Sequence, residues 1–291
     1  MAGGKKWWET MYDRHGPAAL DYMMCRYGTS KLLFRGPRRR LNSPHVLFMG
    51  GIEIFGKYAA HPLPMLVEDA IGLTCVNLGA ANAGPELYLS DTTMQAMAAR
   101  ADATVVQIMG AQNLSNRYYV VHPRRNDRFL HPSTMMETVF RDVDFTQFHF
   151  TRHLLQALQN RSQDRFELVR AELQDAWLAR MKALIEVTTG PVVLHWFADH
   201  PPGDDEDADN ADLNRDPLFV TRSMLETLRP LVSKIVETVV TPEVRQRGID
   251  RLDHTQIEAP AAGRLLGVEA HELASIDIAR ALAPLVQRNR M

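Results

Sequence analysis

Glu53, Gln112, Asn113, His254 and His271 are the side chains of this 291-residue sequence whose types and settings suit proton transfer or the stabilisation of developing negative charge. Carboxylate and imidazole exchange protons near neutral pH, and a side-chain amide can donate to an oxygen that becomes anionic. Glu53, Gln112 and Asn113 each follow a short apolar run, where a buried strand would hand the chain to a loop. Gly51, Asn82, Asn116, Arg125 and Arg128 form the accompanying ligand-binding set. Glycine permits close approach of the backbone, and guanidinium forks match carboxylate, phosphate or sulfate. The alternative for Arg124, Arg125 and Arg128 is a structural network around Asp127.

The elements that must carry these residues follow from hydrophobic pattern and punctuation. Val46-Leu47-Phe48-Met49 ends in Gly50-Gly51, which reads as a buried parallel strand entering a tight turn. Pro62 and Pro64 precede a helix over Met65–Ile71, with Gly72 as its C-terminal cap. Thr74–Leu78 is the second strand, followed by a small-residue loop over 79–84 and a helix over about 85–100. Thr104–Met109 is the third strand. Arg124 to Arg128 then fall in a loop above the sheet. A long helical pattern from Asp144 to Glu186 predicts an inserted hairpin at about 144–187. A strand over 191–197, a helix near 223–228, a strand near 234–240 and a last helix over about 269–286 complete the chain. These elements predict an α/β fold, a three-layer doubly wound parallel sheet with its ligand crevice at the strand C-termini. Residues 1–44, with a helix around Ala18 to Tyr27, form a cover segment over a domain spanning 45–291.

Composition narrows the function classes. A formal net charge of −2 and a pI near 6.6 provide no global field for nucleic acid or an acidic membrane, and Arg38-Arg39-Arg40 reads as a solvated loop. Of the two cysteines, Cys75 lies in a buried-strand pattern, so free thiols and cytoplasmic residence are expected. No apolar run has the length of a membrane span. His149 and His153 share a helical face, but Phe150 replaces the glutamate of the zinc-protease helix, and packed histidines are expected instead of a metal site. Asp205, Asp207 and Asp209 alternate as in a calcium loop, yet Asn210 and Asp216 stand where that loop needs Gly and Glu. His195, Asp199 and His200 end the fourth strand and can reach the same crevice as Glu53. The glycine loops lack phosphate-loop and dinucleotide patterns, so no cofactor is expected.

Three blocks at strand ends resemble the SGNH or GDSL-type hydrolase family. That family has Gly-Asp-Ser, Asn-x-Gly-x-x-Gly and Gly-x-Asn-Asp at the first three strand ends. Here the corresponding stretches are Gly50-Gly51-Ile52, Asn77-Leu78-Gly79-Ala80-Ala81-Asn82 and Gly110-Ala111-Gln112-Asn113. The resemblance implies a flavodoxin-like sheet and ester chemistry in which Gln112 and the amide near Asn82 hold an oxyanion. Ile52 stands where the family has its nucleophilic serine. The family's Asp-x-x-His block has only Asp250, Asp253, His254 and His271 as counterparts, none at the family spacing. A divergent hydrolase or group transferase acting on a small or carbohydrate-linked ester or anionic group is the leading expectation. A catalytically inert protein holding an anionic ligand with its arginines is the alternative. An interaction subunit using 144–187 is the third, with homo-oligomerisation open. The stretches Ser115–Phe129 and Asp144–His153 also resemble an uncharacterised family of alphaproteobacterial proteins.

Overall fold

The computed structural model describes residues 20–204 and 212–288. The aspartates of the calcium-like pattern lie outside the described residues. Where a helix around Ala18 to Tyr27 was expected, the described part, from residue 20, forms a tight hairpin. Cys25 and Phe34 exchange backbone hydrogen bonds of 2.9 and 3.0 Å across a turn at Gly28, whose φ of +51° favours glycine. This segment is tied to the 56–60 loop through Arg35, which is buried and donates to the carbonyls of Gly56 and Ala60.

The chain then enters β1 (His45–Gly50), the short helix α1 (Ile52–Phe55), α2 (Leu63–Ile71) and β2 (Thr74–Gly79). The expected helix over 85–100 is two helices, α3 (Pro85–Leu89) and α4 (Thr92–Ala98). It breaks because Asp91 acts as an N-cap, accepting from the amides of Thr93 and Met94. β3 (Ala103–Gln107) follows. Residues Arg124 to Arg128 are not a loop but mostly strand. β4 (Tyr119–His122) and β5 (Arg125–Pro132) form an antiparallel hairpin separate from the main sheet, turning at Pro123-Arg124. Next come α5 (Thr134–Val139), a 3-10 turn at Phe145–Gln147, and the helices α6 (Thr151–Arg161) and α7 (Gln163–Glu186). β6 (Val192–Ala198), α8 (Arg222–Leu228), β7 (Lys234–Val239), α9 (Pro242–Ile249), α10 (Ala259–Ala262) and α11 (Val268–Arg288) finish the chain.

The main sheet has five strands in the order β2-β1-β3-β6-β7, all parallel. Side chains alternate between two apolar layers. Leu47, Met49, Val106, Leu194 and Trp196 pack with Trp177 on one face, and Val46, Phe48, Val105, Val193 and Phe197 pack with α2 and α11 on the other. Helices on both faces make a doubly wound α/β fold. The chain leaves β1 for one edge and β3 for the other, so the topological switch point lies between these two neighbouring strands. Trp177 is fully buried, and its Nε1–H donates to Met109 O at 2.7 Å, anchoring the loop that leaves β3.

Candidate functional site

At the switch point the backbone is held from three sides. Gly50 N–H donates to the Tyr88 hydroxyl at 2.8 Å, and that oxygen lies 2.8 Å from the carbonyls of both Gly50 and Leu78. A side chain at Gly50 would meet Gln107 and Ile54 at 2.6 Å, whereas the nearest atom to one at Gly51 is Gln107 Oε1 at 3.8 Å. Space therefore opens above Gly51 and not above Gly50. The Gly51 amide donates to Gln107 Oε1 at 2.9 Å. Gln107 thus occupies the donor that the glycine offers to the crevice.

One residue further on, the side chains diverge. Ile52 packs half-buried against the apolar cluster of Tyr58, Leu252 and Leu265. Glu53 turns inward and is buried. Its Oε1 accepts from Leu266 N–H at 3.1 Å, and its Oε2 lies 3.4 Å from His271 Nε2. His271 Nδ1 accepts from Leu63 N–H at 3.2 Å, which assigns the ring proton to Nε2 and makes it the donor to Glu53. Both nitrogens are therefore engaged. His195 lies on the same face of the sheet, stacked on Phe197 at 5.0 Å, while His271 meets Phe197 edge-on at 5.6 Å. Thr238 Oγ1 donates to Asp277 Oδ2 at 3.1 Å, so His195 Nε2, 3.1 Å from Thr238 Oγ1, is the donor in that pair. His195 Nδ1 is buried without a partner among the described residues. Burial, and then the neighbouring His271, push the His195 pKa down to about 3.

The other wall is a network of amides. Asn113 donates to Asn82 O at 3.1 Å and accepts from Thr151 Oγ1 at 2.9 Å. Asn82, in the left-handed region at φ +57°, donates from its side chain to Asp127 at 3.2 Å. Asn126, fully buried, accepts from Gly84 N–H at 3.0 Å and joins the hairpin to the loop after β2. Gln112 donates to Asp216 Oδ1 at 3.2 Å, and Arg152 grips the same carboxylate at 2.9 and 2.7 Å. Gln112 Oε1 is buried without a partner among the described residues, as is Arg128 Nε. The Arg128 guanidinium lies 4.5 Å above the Phe150 ring. Arg128 thus lies against the residue that precedes α6, whereas Gln112 Oε1 faces Gly110, where an added Cβ would come within 2.1 Å of it.

The structure thus gathers Asn82, Asn113, Gln112 and Arg128 along the loops and hairpin, and pairs Glu53 with His271 beneath α1. Asn116 caps its own turn, accepting from the amides of Tyr118 and Tyr119 at 2.8 and 3.1 Å. Arg125 is exposed on the hairpin. His254 is apart from both groups, 3.0 Å from Thr255 O through Nδ1 and edge-on to Tyr58. Gln107, Tyr88, Asn126, Thr151 and Asp216 were not anticipated. The readable signal is Gln107, an amide directly after the apolar pair Val105-Val106. A cleft of about 490 Å³ lies elsewhere, at the far end of the hairpin among Phe129, His131, Phe140, Arg141 and Phe145. It is not part of the strand-end arrangement.

Comparison with solved structures finds a carbohydrate esterase family 2 enzyme with a carbohydrate-binding domain from Myceliophthora fergusii, at 11% identity and TM-score 0.41, covering 87% of this chain and 69% of that one. An acetyl xylan esterase from the rumen bacterium Butyrivibrio proteoclasticus matches at 9% identity and TM-score 0.41, covering 87% and 66%. An acetyl-xylooligosaccharide esterase from Geobacillus stearothermophilus matches at 12% identity and TM-score 0.38, covering 84% and 94%. No curated protein matches the chain in sequence. A family model described as a domain of unknown function, DUF6473, matches residues 11–289. With nearly its whole length inside that match, the chain belongs to the DUF6473 family.

Proposed function

We propose that the strand-end crevice binds a small anionic, hydroxyl-bearing ligand of carbohydrate type and that the protein does not hydrolyse esters through an acyl-serine. The observation that carries this reading is that Gln112 Oε1 and Arg128 Nε, from the loop after β3 and from β5, are two of the five buried polar side-chain atoms without a partner among the described residues. A buried polar group without a partner costs about 1–3 kcal/mol, and a ligand that supplied a hydroxyl to the amide oxygen and an anionic oxygen to the guanidinium would remove both costs. Ile52 offers no nucleophile, and its side chain is committed to an apolar cluster. Asn113 is engaged at both ends by Asn82 and Thr151, which suits a fixed wall better than a group that must reorient during reaction.

The test pairs a fluorophosphonate label with thermal unfolding of the intact protein in glucuronate and in inorganic phosphate. The reading expects no covalent label and a higher unfolding temperature with at least one of the anions. A labelled serine would overturn it. A second reading, a hydrolase or group transferase with an unusual site, is favoured by one observation, the Glu53–His271 pair next to Gly51. It expects turnover of p-nitrophenyl acetate that falls about a hundredfold in Gln112→Ala, while the binding reading expects no turnover in either protein.

A further inference from the structure

Arg38-Arg39-Arg40 reads as a solvated loop in the sequence, but the hairpin that precedes it carries further exposed cations. Arg39 N–H donates to the Tyr27 hydroxyl at 3.0 Å, fixing the run against the 22–36 hairpin, and the Arg39 side chain is neutralised by Glu68 at 2.7 Å. Arg26, Lys31, Arg38 and Arg40 are exposed and make no ion pair among the described residues. Asp21 is the carboxylate on this hairpin, and it accepts from Met23 N–H at 2.8 Å. The same segment of chain exposes three large apolar side chains, Met23 at 51%, Met24 at 46% and Leu33 at 47%. Met23 sits at φ +46°, a conformation unfavourable for a residue with a side chain, and both consecutive methionines remain in solvent.

We propose that this face docks on an anionic lipid surface. A bilayer interface uses both features at once, since cations are attracted to anionic headgroups and the apolar side chains enter the headgroup boundary. An acidic polypeptide would use the cations but leave three scattered apolar side chains without a groove to fill. Docking on lipid is peripheral, and no helix among the described residues is long and apolar enough to cross a membrane. It is independent of the strand-end crevice.

Co-sedimentation of the full chain with phosphatidylcholine vesicles, and with vesicles of equal parts phosphatidylcholine and phosphatidylglycerol, tests the proposal. Binding is expected only to the anionic vesicles and should weaken with salt. The combined variant Arg26→Gln, Lys31→Gln, Arg38→Gln, Arg40→Gln should bind about a hundredfold more weakly. Met23→Ser with Met24→Ser and Leu33→Ser should lose about tenfold while keeping the salt dependence. All substituted positions are exposed, and circular dichroism verifies that the variants fold. No binding to anionic vesicles, equal binding to both vesicle types, or undiminished binding by the charge variant would overturn the proposal. Capture of polyglutamate without vesicle binding would overturn it too, in favour of an acidic protein partner.

Discussion

Acidification should unfold this protein in part through one buried ring. His195 is fully buried on β6, and its pKa is pushed from 6.5 down to about 3 by burial and by His271. A base whose folded-state pKa is depressed binds its proton more readily when unfolded, so its neutral form contributes stability that is complete above about pH 6.5 and is lost as the pH falls toward about 3. At about pH 5 the unfolded ring is almost wholly protonated and the folded ring is not. The loss is then about 2 kcal/mol, from 1.5 pH units at about 1.4 kcal/mol each. For a chain of this size that corresponds to a fall in Tm of roughly 3 °C. Urea unfolding at about pH 7 and about pH 5, on the wild type and on His195→Gln, isolates the term, because Gln keeps a donor for Thr238 but does not titrate. The wild type should lose about 2 kcal/mol more than the variant over that interval. Parallel pH profiles for the two proteins would refute the reasoning, since the other histidines contribute to both.

Other perturbations separate the parts of the site. Glu53→Leu leaves Leu266 N–H and His271 Nε2–H buried without an acceptor and should cost about 3 kcal/mol in urea unfolding, whereas Glu53→Gln should cost about half as much. Equal costs would show that the carboxylate is not the shared acceptor. Gly50→Ala should destabilise strongly, by about 3 kcal/mol, because its Cβ would lie 2.6 Å from Gln107 and Ile54, while Gly51→Ala has 3.8 Å of clearance and should stay within about 0.5 kcal/mol. Similar melting temperatures for the two variants would contradict the tight packing at Gly50. Trp177→Phe removes the donor to Met109 O and should cost about 2 kcal/mol by calorimetry, with a change below 0.5 kcal/mol counting against this anchor.

The strands were legible because parallel strands buried on both faces are short apolar runs, and Val46–Met49 ending in two glycines could take few other forms. Gly72 and the prolines at 62 and 64 marked the ends of α2 for equally local reasons. The hairpin was missed because the charges of Arg124 to Arg128 mask a strand whose partner, Tyr119–His122, is chosen by pairing and not by hydropathy. The N-terminal hairpin is not legible as such because it is a single Cys25–Phe34 bridge across the Gly28 turn, too short for a two-residue period to show. Site residues were legible as positions but not as pairings. Glu53 and His271 are more than two hundred residues apart, and only the packing of α11 against α2 brings them together. The same holds for Gln107, whose role depends on β3 lying beside β1 and reaching the Gly51 amide.

The central claim is that Gln112 and Arg128 await an anionic, hydroxyl-bearing partner, and calorimetric titration of the intact protein with glucuronate, on wild type and Arg128→Met, tests it most directly. Saturable binding by the wild type, weakened about tenfold or more in Arg128→Met, is the predicted result. Binding that is unchanged by Arg128→Met, or no heat of binding with glucuronate, would contradict the claim.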